Sequence, residues 1–469
     1  MKTKNLNNEF NKTQTAVTIA AVSTPAGISG IAVIRISGPQ AASICDGLFK
    51  PLNSNFKQAS DMKAYTVGVG YWYDANGEEL IDKVVLTCFK EPHSYTGEDI
   101  YEVSCHGGQY IRQAILESLF DSGAKPAGPG EFSRRAFMNG KLDLVEAEAV
   151  MDMISAESSR QNQAAIQQLR GRLSEEISKI RSKLYQIMAQ IEMIIEFPEN
   201  EDSPQARENI LKHLNEVSKV LKESIASFKQ GRIVREGFRV VIAGKPNVGK
   251  SSLLNIIIGE EKAIVTSQPG TTRDIIEAQL IIDGLSVHIT DTAGLRTTSD
   301  LVEKEGIDRA YKAIAEADLV FYVFSPEDKA TWQSNLEEIQ ALTQEGKNVA
   351  IIAGKEDLPQ HKELLSWLNS NLKAYEHIVF SKYDQAKIEP IKNFILQTFE
   401  DMGKAEGDAI MITHLRHRQI IVETAKHIDQ ARKAFAEDVP LDLIAGLLLA
   451  AAEQLAELTG DQVSEELVE

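Results

Sequence analysis

Between Thr15 and about Asn139, apolar positions come in short β-branched runs, IAVIRI and DKVVLTCF among them, separated by Gly and Pro turns. Runs of that length predict strands, with one helix over Tyr110–Ser122, and so an α+β domain. From Lys141 to about Arg232 the period lengthens. Leu142, Val145, Ala149 and Met153, then Ile177, Leu184, Ile187, Ile191 and Ile194, recur at the spacing that lines one face of a helix. FPENEDSPQ is the one Pro- and acid-rich break in this set of long helices. From Phe238 the apolar runs FRVVIAG, LIIDGLSVHITDTAG, DLVFYVF, NVAIIAG and HIVF alternate with helical stretches. That order predicts a parallel doubly wound sheet with ligand loops at the strand ends. Helical texture returns after about Asp401, from Thr413 onward. The expected architecture is multidomain α/β: an α+β domain over 1–139, a discontinuous all-α domain formed by 140–234 and 402–469 packing together, and an inserted α/β domain over 235–401.

Composition adds exclusions. With 43% hydrophobic and 25% charged residues among 469, the chain has the balance of a soluble globular protein. No window approaches the roughly 18 apolar residues of a membrane span, Leu441–Ala452 being too short, and the first residues lack the apolar stretch of a secretory signal. Cys45, Cys88 and Cys105 are odd in number and form no CxxC pair, so neither a disulfide framework nor a zinc site is expected and a reducing cytoplasm fits best. A net charge of −18 repels nucleic acid at long range unless a local basic patch or a second protein supplies attraction.

The most specific chemistry lies at Gly244-Lys245-Pro246-Asn247-Val248-Gly249-Lys250-Ser251-Ser252, after an apolar strand and opening a helix. A phosphate loop needs that context, because its backbone N–H groups wrap the phosphates, Lys250 meets the β/γ oxygens and the Ser251 hydroxyl ligates Mg²⁺. Four further elements follow in order. Thr271-Thr272-Arg273-Asp274 offers Thr272 to the Mg²⁺ shell, and Asp291-Thr292-Ala293-Gly294 offers an acid behind the metal and an amide for the γ-phosphate. Lys355-Glu356-Asp357 offers a carboxylate for the guanine N1–H and exocyclic amine, donors that adenine lacks, and Ser381-Lys382 fits the last base-contacting loop. One departure stands out: Gly354 occupies the position of the usual Asn, whose amide ties the base loop to the phosphate loop. Weaker nucleotide affinity is expected, with Asp357 still favouring guanine.

With these loops inside a helical domain, the chain resembles the MnmE (TrmE) family of tRNA-modification GTPases over nearly its whole length. The resemblance is carried by TIAAVSTPAGISGIAVIRISG, SYTGEDIYEVSCHGG, GPGEFSRRAFMNGKLDLVEAE, GTTRD and DTAGLR. It implies a Ras-like GTPase domain and a folate-binding, dimerising N-terminal domain. Arg35, Glu102 and Lys141 match positions that contact a 5,10-methylene- or 5-formyl-tetrahydrofolate derivative. Taken singly they are ordinary residues: an Arg at a strand end, a half-exposed Glu and a Lys at a helix start. The resemblance also implies activation by K⁺, held through Asn247, Thr266, Gln268 and Thr271 in place of an arginine finger. Glu303 matches a water-orienting acid, so that Lys250, Arg273 and Glu303 are the candidate catalytic residues. The partners implied are a second copy of the chain, tRNA, and an MnmG-type flavoprotein carrying FAD and using NADH, in a heterotetramer or larger. Together they would install a carboxymethylaminomethyl or aminomethyl group on carbon 5 of the wobble uridine.

Family members close on Cys-Ile-Gly-Lys, whereas this sequence ends at Glu469, and none of its three cysteines can be carried onto that role. Cys105 reads as a small buried hydrophobe, His106 as a structural or folate-lining residue, and Arg416-His417-Arg418 as a solvated face. Two other readings remain: a ribosome-assembly GTPase, which would carry a basic RNA-binding appendage, and a folate-binding protein with a weakened GTPase.

Overall fold

The computed structural model describes residues 17–52, 56–201, 203–260, 277–291, 310–381, 388–402 and 411–461. The chain forms two compact units, 1–148 with 459–469, and 149–458.

In the first unit, strands β1 (Ile19–Val22), β2 (Ser29–Ser37), β3 (Phe49–Pro51), β4 (Thr66–Tyr73), β5 (Leu80–Phe89), β6 (Ile100–Gly107) and β7 (Lys125–Pro126) form one sheet in the order β3-β4-β5-β6-β2-β1-β7. All pairs are antiparallel except β1 with β7. Alternation along the strands puts Ile34, Ile36, Leu86, Val84 and Val103 on the face buried with residues of helices Ala41–Leu48 and Gln109–Asp121. On the opposite face the register aligns Arg35, Glu102, Thr87 and Val67 in one row and Val33, Ser104, Val85 and Val69 in the next.

The second unit begins with the helices. Ser159–Leu169 opens on a capping box at Ser158 and Gln161, Arg172–Glu196 buries Ile177, Leu184, Ile187, Ile191 and Ile194, and Pro204–Glu236 starts on a Ser203 cap with proline in its first turn. FPENEDSPQ is thus more than a break, since it contains the short helix Pro198–Glu201 and the cap of the next one. Helix Pro204–Glu236 packs on Leu415–Ala436, which lies beyond the inserted sheet in sequence. Ser218 donates to Asp429 at 3.0 Å, Lys222 pairs with the same carboxylate at 3.1 Å, and Gly231 leaves so little room that an added Cβ would lie 2.2 Å from the Ile412 carbonyl oxygen. The all-α part is discontinuous, as expected.

Between those helices lies a sheet of β8 (Phe238–Ala243), β9 (Glu277–Ile282), β10 (Leu285–Asp291), β11 (Leu319–Phe324), β12 (Val349–Ala353) and β13 (His377–Val379), ordered β13-β12-β11-β8-β10-β9. Both faces are covered, so β11 reads LVFYVF without a polar break and is buried throughout. The sheet is mixed rather than wholly parallel, because LIIDGLSVHITD folds as a β9–β10 hairpin. Asp283 and Gly284 turn it with φ of +46° and +74°, the two-residue arrangement that an Asp-Gly pair supplies at least cost. The five parallel strands end along one edge of this sheet.

Candidate functional site

The loop after β8 leaves that edge beside the strand-order switch, where β10 lies on one side of β8 and β11 on the other. Gly244 takes φ +136°, and an added Cβ would lie 2.7 Å from the Val323 carbonyl oxygen, so only glycine lets the loop rise off the sheet there. Asn247 and Gly249 also take positive φ, +64° and +108°, and Val248 is anchored in the core at 1% exposure. Lys250, the first residue of helix Lys250–Glu260, folds back over the loop. Its Nζ donates to the carbonyls of Gly244 at 3.0 Å and Lys245 at 2.8 Å, at 5% residue exposure. The ammonium is thereby held against the loop whose amides would wrap phosphates.

Ser251 Oγ donates to Asp291 Oδ2 at 2.7 Å. Asp291 ends β10 in register with Ile242 of β8 and is 1% exposed. A hydroxyl and a buried carboxylate this close are hard oxygen donors suited to Mg²⁺. Ser252 is exposed on the next position of the helix. Glu338, on helix Trp332–Gln344, braces the loop from behind by pairing with Lys245 while accepting from the Tyr322 hydroxyl of β11.

The base loop leaves β12 at the same edge. The Gly354 amide donates to Phe324 O at 2.9 Å, Lys355 takes φ +53° and pairs with Glu327, and Asp357 is exposed. Ser381, buried at 5%, follows β13 on the next strand end. The structure therefore gathers Asn247, Val248, Gly249, Lys250, Ser251, Asp291, Lys355, Asp357 and Ser381 along one edge of the sheet. Thr266, Gln268, Thr271, Thr272, Arg273, Thr292, Ala293, Gly294, Glu303 and Lys382 lie outside the described residues.

In the first unit Arg35 and Glu102 are cross-strand partners and pair with each other, Nη2 to Oε1 at 2.7 Å, each about one quarter exposed. The guanidinium also lies 5.2 Å from the Tyr95 ring centre and 5.5 Å from that of Phe132. Lys141 is exposed and borders the same 94–98 loop, since a Cβ on Gly97 would fall 3.3 Å from its Cγ. That loop is fastened by residues the sequence reading did not single out. Glu98 accepts from Arg135 at 3.1 Å and from Ser37 at 2.6 Å, and Arg135 also donates to Val17 O at 2.8 Å. Both lie in quoted motifs, but nothing in the pattern distinguishes a buried ion pair from a surface one.

Three readings of single residues resolve. Cys105 is a buried small hydrophobe, with burial pushing its thiol up to about 11, and burial likewise raises Cys45 and Cys88, so none is poised as a thiolate at neutral pH. His106 points to solvent at 68% side-chain exposure and holds Asp82 at 2.8 Å. Arg416-His417-Arg418 is not simply a solvated face: His417 is fully buried, Arg416 donates to the carbonyl of Leu458 at 3.2 Å, and Arg418 lies over Phe228 at 5.2 Å.

A phosphate loop rising from a central strand, with its lysine folded inward and its serine against a strand-end aspartate, defines a P-loop nucleotide hydrolase domain within a helical frame. The comparisons narrow this further. The MnmE helical domain matches residues 144–469, and the GTP-binding protein TrmE N-terminus matches residues 18–141. The tRNA modification GTPase MnmE of Acetivibrio thermocellus is 38% identical over 452 residues, covering 96% of each chain. That of Carboxydothermus hydrogenoformans is 37% identical over 451 residues, covering 96% of this chain and 97% of its own. That of Bacillus licheniformis is 35% identical over 455 residues, with the same two coverages. The chain belongs to the MnmE (TrmE) family of tRNA modification GTPases.

Proposed function

We propose that this GTPase couples GTP hydrolysis to modification of the wobble uridine of tRNA. The modules would be 1–139 for folate and dimerisation, 140–234 with 402–469 as the helical frame, and 235–401 for the nucleotide. The observation that carries the reading is the convergence of Lys250, Ser251 and Asp291 at the strand-order switch of a sheet whose next loops present Asp357 and Ser381. Asn247 to Ser252 hold the triphosphate, with Lys250 neutralising β/γ charge. Ser251 and Thr272 would hold Mg²⁺, with Asp291 behind them fixing the metal's water ligands, and the ion would supply charge neutralisation between the phosphates when bound. Arg273 and Glu303 take the catalytic roles the family suggests, the Gly294 amide meets the γ-phosphate, and Thr292 and Ala293 belong to the same nucleotide-binding loop. Lys355, Asp357, Ser381 and Lys382 read the base.

Potassium, where bound, would be held by Asn247, Thr266, Gln268 and Thr271; the exposed, positive-φ Asn247 has its side chain free of the core. Turnover of GTP in KCl should exceed that in NaCl at equal ionic strength, and equal rates would refute the potassium role.

The folate assignment draws support from the same open sheet face. Arg35, Glu102 and the rings of Tyr95 and Phe132 offer charge and aromatic surface to a pterin, and Lys141 offers a cation to a folate tail. Ile31, Val67 and Val85 on that face are 68%, 57% and 36% exposed, apolar surface a second copy of the chain would cover. In this reading a flavoprotein partner contributes FAD, NADH chemistry and much of the tRNA binding, consistent with the net charge of −18. Mass spectrometry of wobble nucleosides from cells lacking the gene and complemented with this chain tests the reading. Restored carboxymethylaminomethyl- or aminomethyluridine supports it, and unmodified uridine with normal GTP turnover overturns it.

A further inference from the structure

Gly354 has no side chain with which to tie the base loop to the phosphate loop, yet that loop is fastened from the other side. The Gly354 carbonyl lies 3.2 Å from Nδ1 of His361, and because a carbonyl only accepts, Nδ1 is the donor. His361 opens helix His361–Asn371, is 5% exposed, and has its Nε2 buried without a hydrogen-bond partner. An imidazole so placed leaves one polar atom unsatisfied, a cost in folding free energy that an apolar side chain would not incur. Its one hydrogen bond falls on the residue where the asparagine is missing. The peptide it holds leads directly into Lys355, in the left-handed region at φ +53°, and into the turn closed by Leu358 N donating to Lys355 O at 3.1 Å. Asp357 stands on that turn.

We infer that His361 is a positioning residue for base recognition, its bond to the Gly354 carbonyl setting the loop that an asparagine side chain otherwise sets. The inference rests on the reading of Asp357 as the guanine-binding carboxylate. The two braces are geometric alternatives. A Cβ on Gly354 would lie 3.4 Å from the Val248 carbonyl oxygen of the phosphate loop and 3.2 Å from Phe324 O. An asparagine there would thus face the phosphate loop once its neighbours gave by a few tenths of an ångström.

The test is titration of the full chain with fluorescent GDP and ADP. Wild type should bind GDP and not ADP; binding of neither would sink the guanine reading, and this inference with it. His361→Leu should weaken GDP binding about tenfold, the worth of one buried hydrogen bond. His361→Asn, which keeps a donor near the Nδ1 position, should stay within about twofold, and Gly354→Asn added to His361→Leu should recover most of the loss. Unchanged affinity in a folded His361→Leu, or the same loss with and without Gly354→Asn, overturns the inference while leaving the guanine reading intact if wild type still rejects ADP. Should the leucine variant fail to fold, the asparagine variant decides: full affinity supports the brace, and a loss in folded protein contradicts it.

Discussion

Asp357 is exposed on the loop that follows β12, and in the proposed function its carboxylate accepts the paired N–H donors of guanine. An asparagine in its place presents a donor where guanine also donates but xanthine has a carbonyl oxygen. Asp357→Asn should therefore lose GTP affinity by at least about tenfold and gain xanthosine triphosphate in its place; competition binding with the two nucleotides checks it. Gly354→Asn alone is expected to tighten GTP binding, tempered by the 3.2 Å approach of its Cβ to Phe324 O, and a titration showing no change would contradict this reading of the base loop. At this scale the phosphate loop was legible because its spacing is dictated by phosphate geometry. His361, Glu338 and Arg135 were not, because a His, a Glu and an Arg on helices carry no local signal of what they face across the fold.

At the scale of elements, two joints in the helical frame are exposed to test. Gly231 of Pro204–Glu236 admits the chain ahead of Leu415–Ala436, and its missing Cβ would meet backbone, which cannot rotate away. Gly231→Ala should destabilise the second unit by on the order of 3 kcal/mol, read by thermal or denaturant unfolding. The other joint is Asp152, which accepts from His414 at 2.7 Å and Arg235 at 3.1 Å. Burial pushes its carboxyl up, but the bonds and charges of His414 and Arg235 outweigh that and leave it below the ordinary value. A lowered carboxyl stabilises the fold above its unfolded value of about 3.9 and ceases to do so as pH falls through its folded one. Asp152→Asn should thus cost about 1.5–3 kcal/mol at neutral pH, and the gap from wild type should close below about pH 4. A gap that widened on acidification would contradict the assignment. Element types followed from periodicity. The β9–β10 hairpin did not, because attention to alternating strands and helices hid an Asp-Gly turn inside one continuous apolar run, and β1, β3 and β7 were too short to announce themselves.

For the whole molecule, the discontinuous helical frame was legible because helical period resumes after the α/β insert, and two segments with one-sided apolar faces need each other. Among the described residues no helix is long and apolar enough to cross a membrane. How the GTPase serves chemistry on tRNA rests on the family, but its nucleotide step can be isolated. The most direct measurement is turnover of GTP and of ATP by the full chain and by Lys250→Ala, in potassium and magnesium. The account predicts hydrolysis of GTP, negligible hydrolysis of ATP, and loss of GTP turnover in the alanine variant. Equal cleavage of both nucleotides, or undiminished turnover without Lys250, would contradict it.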